Sequence, residues 1–183
     1  MLDDLRQRLG YRAALRAARQ RTVHDWPVPP PDRKVLVLLP HEEGDLRAAW
    51  RFVQTIDEPR GHLVPAITAD RVPYTPDAFA AGVATVGERA RDWRGLPRRA
   101  EAQKLWSDKL HVALDLTPGF DLAAAYLVGA SPARFRVGLY SAEGEPFYDL
   151  LIAPTGGYEA ALTALRGYLA AIEPPVLSFN VER

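Results

Sequence analysis

The chain contains no cysteine. Disulfides, thiolate metal centres and a cysteine nucleophile are thereby excluded. Lysine is scarce too: Lys34, Lys104 and Lys109 are the only three among 23 basic residues, and the rest are arginines. With the heavy use of alanine, that bias fits GC-rich coding better than phosphate recognition. A net charge is also missing. The 23 basic and 23 acidic side chains cancel, so no overall field draws the protein to nucleic acid. No apolar run reaches the ~20 residues of a membrane span; Val35–Leu39 is a typical length. The first ten residues, MLDDLRQRLG, hold two acids and no apolar segment, so no secretory signal is expected. These absences point to the cytoplasm. The sequence also lacks a P-loop, a G-x-G-x-x-G and a G-x-S-x-G elbow. No ligand spacing for a metal and no cofactor motif takes their place. The one glycine pair, Gly156-Gly157, reads as a strand-to-helix turn.

What is present is an alternation of strands and helices. At 183 residues and 48% hydrophobic content, the chain has the length of one domain by the usual ~100–200-residue prior. Residues 2–20 read as a helix, with Leu2, Leu5, Leu9 and Leu15 as a thin apolar stripe. Six arginines against two aspartates give residues 1–21 a formal +4. A Pro-rich connector, Trp26 to Pro31, follows and is expected to be extended and semi-rigid. Residues 1–33 thus form a basic helix and connector, an appendage to a single α/β domain at 34–183. That domain opens with Lys34–Leu39, a continuous apolar run typical of a strand covered on both faces. A helix over about 45–56 comes next. A strand over about 62–67 is interrupted by Pro65, which suggests an edge or a bulge. The stretch 70–106 offers a short helix near 76–81, a strand near 83–89, a loop at 92–97 and a helix over about 99–106. Leu110–Leu116 is a strand, 121–128 a helix ended by Gly129, and 134–139 a strand. Residues 141–146 read as a turn and 147–152 as the second arm of a hairpin. Residues 158–172 close the domain as a helix. The fold class is α/β: a three-layer Rossmann-like sandwich, mostly parallel, with a C-terminal hairpin strand and an N-terminal helical appendage.

Four segments, Asp92–Pro97, Leu114–Leu116, Ala133–Gly138 and Phe147–Ile152, resemble an uncharacterised family common in the Bacteroidota. Its members carry a basic N-terminal helix, a D-x-x-W-x-G-x-P-like loop and a Y-Y-D-L-M-I strand. This domain of unknown function implies a fold and an ancestry. More distantly, Lys34–Trp50 and Val112–Gly138 are similar to the N-terminal Rossmann-like half of heptosyltransferase-type glycosyltransferases, with Gly44-Asp45 and Asp115 at matching positions. Those enzymes bind the sugar nucleotide largely on a second domain, for which this chain has no residues.

Two groups of residues are candidates for function. His41, Glu43, Gly44 and Asp45 follow the first strand; Asp115, Thr117 and Gly119 end or follow a later one. In open α/β sheets ligands bind beyond those strand ends, where an imidazole and carboxylates can act as acid and base or hold a cation. The plainer expectation is that the acids cap helices and turns. The second group is Arg6, Arg8, Arg12, Arg16 and Arg19 with Trp26 and Trp93, a surface for an anionic or protein partner. Because no catalytic motif is complete, the expected function is a non-catalytic binding or accessory protein with the basic helix as its contact arm. The alternative is a nucleotide or sugar-nucleotide binder, or a transferase-like enzyme half, using the strand-end cleft.

Overall fold

The computed structural model describes residues 2–22, 33–56, 63–72, 82–153 and 155–172. Trp26, the proline connector, the helix expected near 76–81 and the tail past residue 172 lie outside them. The elements run α1 (Leu2–Arg19), β1 (Lys34–Leu39), α2 (Glu43–Gln54), β2 (Leu63–Ile67), β3 (Ala84–Thr85), α3 (Arg99–Leu105), β4 (Leu110–Asp115), α4 (Leu122–Gly129), β5 (Phe135–Leu139), β6 (Leu150–Ile152) and α5 (Tyr158–Ile172). Short 3₁₀ turns occupy Glu88–Ala90 and Glu145–Phe147.

Six strands form one sheet in the order β3-β2-β1-β4-β5-β6, and every pairing is parallel. This is a Rossmann-like doubly wound arrangement, with strand order reversing between β1 and β4. Period-two alternation sorts the buried side chains onto two faces. Val35, Val37, Val112 and Leu114 meet α2 and α5 through Phe52 and Leu165. Leu36, Leu38, Leu110 and Ala113 meet α3 and α4 through Leu105 and Leu127. Each fully buried aliphatic side chain contributes about 1.5–3 kcal/mol, and all six residues of β4 are buried.

The expected hairpin is absent: β5 and β6 are parallel, with Val137 beside Leu150 and Leu139 beside Ile152. The chain returns along the sheet through residues 140–149. Phe147, read as a strand residue, lies in the 3₁₀ turn and is fully buried beneath α1 and α4. Pro65 sits in an interior strand rather than at an edge. It costs little, because β3 pairs only with Ala66 and Ile67 and stops short of the proline. Gly129 is the last residue of α4 and has no positive φ. A Cβ there would lie 2.8 Å from the Phe147 ring, so close packing, not chain reversal, requires glycine.

Helix α1 lies outside the three layers but is docked on them. Its buried residues are Gly10, Ala14 and Ala18, spaced by four on one face. They meet Leu96, Ala125 and Phe147. The leucine stripe read from the sequence is not the buried face: Leu2 is 82% and Leu5 53% exposed. Just past the helix, Arg21 donates to the Ala133 carbonyl and lies 3.7 Å from Asp149. Asp149 in turn holds the buried Arg136 through both carboxylate oxygens, a structural pair that ties the start of β6 to β5.

A Cβ on Gly10 would stand 2.6 Å from the Arg94 carbonyl oxygen, a backbone atom that cannot swing aside. Gly10→Val is therefore expected to lower stability by about 1–3 kcal/mol, read as a lower urea midpoint. An unchanged midpoint would contradict the docking of α1.

Candidate functional site

The loops after β1 and β4 leave the same edge of the sheet toward opposite faces, one into α2 and the other into α4. Leu38 is in register with Asp115, so His41 and Asp115 share one rim. Around it stand Thr68 after β2, Thr117 and Asp121 after β4, Tyr148 before β6 and Tyr158 at the start of α5.

Asp115 is the centre of this rim and is buried. Its Oδ1 accepts the Thr117 amide at 2.9 Å and the Thr117 hydroxyl. Its Oδ2 accepts the Tyr148 hydroxyl at 2.5 Å. The tyrosine reaches it because Gly138, opposite Asp115 in the ladder, leaves room for the ring. A Cβ at Gly138 would lie 2.8 Å from the Tyr148 ring. Burial pushes the Asp115 carboxyl up to about 6, although its hydrogen bonds oppose the shift. Burial and the Asp115 charge raise Tyr148 well above an ordinary phenol, so it remains a donor. Tyr158, raised by burial and then by Asp45 and Asp115, donates to the Leu116 carbonyl at 2.6 Å. A buried carboxylate thus sits between two neutral phenols on opposite faces of the sheet.

The other residues singled out in the sequence fall at the same rim with different surroundings. His41 is exposed, its Nε2 3.7 Å from Glu42. Glu43 pairs with Arg47 one turn on. Gly44 is exposed and Asp45 half-buried in the first turn of α2. Gly119 takes a φ of +75°, which the Thr117–Gly119 turn needs. The N–H groups at the start of α4 are taken by Asp121, which accepts Ala123 and Ala124 at 2.7 and 2.9 Å and Thr68 Oγ1 at 2.9 Å. Among the described residues no group of three His, Asp or Glu is placed to hold a metal ion. Tyr148 and Tyr158 were missed in the sequence reading. The signal for Tyr148 was Gly138, a glycine inside a strand, which marks close approach by another group.

The arginine group has a separate geometry. Arg6, Arg8, Arg12, Arg16 and Arg19 are exposed. Arg8 pairs with Asp4 at 3.1 Å, whereas Arg6, Arg12, Arg16 and Arg19 form no ion pair among the described residues. Trp93 is 66% exposed on the neighbouring loop. There Asp92 accepts the Arg94 and Leu96 amides and pairs with the Arg94 guanidinium at 2.8 Å. Between α1 and this loop lies a groove of about 290 Å³ lined by Arg16, Arg94, Arg98 and Arg99 over Tyr126.

No helix among the described residues is long and apolar enough to cross a membrane. Comparison of the chain with protein-family models, curated proteins and solved structures finds no match.

The raised carboxyl of Asp115 has a definite pH signature. The folded state holds its proton more tightly than the unfolded chain, so this group's contribution to stability falls as pH rises from about 4 to about 6. Asp115→Asn cannot titrate. Relative to wild type, it is expected to be more favourable at pH 7 than at pH 4 by roughly 2–3 kcal/mol. Asp149, lowered by Arg136 despite its partial burial, acts oppositely at low pH but cancels in this difference. Paired urea titrations across that range measure it; parallel curves would show that Asp115 titrates normally.

Proposed function

We propose that the chain is a non-catalytic binding protein that takes an acidic protein segment on the arginine face of α1 and the 91–99 loop. The observation that carries this reading is the convergence of Arg16, Arg94, Arg98 and Arg99 on one groove. Its only carboxylate, Asp92, is already held by Arg94. Because α1 is docked, the backbone that carries Arg16 is already placed against the 91–99 loop before any partner arrives, and less ordering entropy opposes binding. Arginine also matches carboxylates in a bidentate fork. A balanced net charge makes the attraction local, acting within about a Debye length. Exposed Trp93 on the same loop supplies apolar area of the kind found at contact hot spots.

The chemistry of the strand-end rim gives less support to the enzyme alternative. Asp115 is buried, and both its oxygens are engaged by Thr117 and Tyr148. It presents no free edge to a substrate as a general acid or base. The likeness to a transferase half therefore adds a fold to the reading, not an activity.

Fluorescence anisotropy with a labelled oligoglutamate peptide tests the proposal. Wild type is expected to bind at low salt and to weaken as salt rises. The double reversal Arg16→Glu, Arg99→Glu is expected to lower affinity by about tenfold or more. Failure of wild type to bind at low salt, or equal binding by the variant, would contradict it.

A further inference from the structure

Two further clefts lie nearer the start of α1, where the helix passes over the beginning of α4. One, of about 660 Å³, has Tyr11 and Phe120 at its base and Arg8, Arg12 and Glu143 at its sides. The other, of about 390 Å³, is lined by Arg6, Arg91 and Arg94 together with Asp3 and Asp121. Gln7 and Leu122 line both, so the two clefts are neighbours that meet at these side chains.

The two clefts differ in chemistry. In the first, the half-buried Tyr11 and Phe120 rings stand 6.0 Å apart and tilted by 58°, above the buried Phe147. Tyr11 is fixed by its hydroxyl, which donates to the Glu143 carbonyl at 3.1 Å. The surface is therefore a rigid aromatic wall open to one side. In the second, the guanidinium groups are held with donors to spare. Arg91 donates through Nη2 to the Thr68 carbonyl, which leaves Nη1 outside that bond. Arg94 uses Nε and Nη2 on Asp92, and Nη1 is outside that pair. Arg6 reaches over the Gly95 turn, its Nη2 3.9 Å from where a Cβ would stand, and forms no ion pair among the described residues. Of the two acids, Asp121 is engaged by Thr68 and the α4 amides, and Asp3 is exposed.

From this juxtaposition we infer that the two neighbouring clefts together bind a small ligand with a planar ring joined to a phosphate, of the nucleoside monophosphate class, lying across Gln7 and Leu122. The ring lies against Tyr11 and Phe120, and the phosphate is held by Arg6, Arg91 and Arg94. Small-ligand sites have this make-up: a largely apolar concavity with a few placed polar groups. Stacking tolerates different bases, because every base has a π-face. The two sites share Arg94 but otherwise rest on different residues, Arg6 and Phe120 here and Arg16 and Arg99 there, so either can fail without the other.

Isothermal titration calorimetry on the full chain tests it, with adenosine monophosphate, adenosine and inorganic phosphate as probes. The nucleotide is expected to bind about tenfold or more tightly than either fragment, because one compartment raises the effective concentration in the other. Arg6→Gln, an exposed position, is expected to weaken the nucleotide about tenfold and leave adenosine unchanged. Phe120→Leu keeps apolar volume and is expected to weaken both the nucleotide and adenosine by about fivefold or more. Three results would overturn the inference: no heat with the monophosphates of adenosine, guanosine, cytidine and uridine; nucleotide affinity unchanged in Arg6→Gln; or inorganic phosphate binding as tightly as the nucleotide. Oligoglutamate binding, measured on the same variants, reports separately on the groove beside Arg16.

Discussion

The contact of α1 with α4 is the constraint on which the functional surfaces depend. It is made of residues with almost no side chain. Gly10, Ala14 and Ala18 form the buried stripe of α1, and Gly129 of α4 approaches Ala18 closely enough that a Cβ would lie 3.4 Å from it. Small residues allow close approach, and at such a distance many weak dispersion contacts accumulate. The same docking that buries alanine turns the arginines outward. An α-helix places residues three and four apart on one side, so burial of positions 10, 14 and 18 fixes where 6, 12, 16 and 19 point. With α1 docked, Arg16 lines a groove with Arg94, Arg98 and Arg99, and Arg6 lines a cleft with Arg91 and Arg94.

A second constraint acts inside the sheet. The reversal of strand order between β1 and β4 opens the rim that holds Asp115, and the glycine at 138 admits the Tyr148 ring that seals it. Sealing has a chemical consequence. A carboxylate accepting three hydrogen bonds with no cation beside it keeps its charge only against the cost of burial, which is why its proton is held up to about pH 6. The rim is thus a finished structural joint between β4, β5 and the segment before β6. The arginine-lined clefts lie farther out, along α1.

Much of this was legible in the sequence, because the central strands carry their message in composition. The continuous run Lys34–Leu39 has no polar alternation past Lys34 and so demands cover on both faces, which a parallel sheet flanked by helices supplies. The rim could be read for the same reason: loops after parallel strands share an edge. The misreadings have physical causes. Hydrophobic periodicity gives weight to leucine, so it chose the exposed Leu2 and Leu5 over the glycine and alanines that are buried, and it set α1 apart from the fold. Turn residues at 141–146 between two apolar runs look like a hairpin, but nothing local reveals that Phe147 belongs under α1 instead of in the ladder. Gly129 and Gly138 are legible as glycines, not as spaces, because the rings that fill those spaces come from residues 18 and 10 positions away in the chain.

Amide hydrogen exchange along α1 tests the central claim most directly. If Gly10, Ala14 and Ala18 are locked against the fold, the amides of residues 10–18 exchange only through openings as costly as those of β4. Protection factors near those of an isolated helix in water, with β4 still fully protected, would show a detached cationic arm and contradict the account.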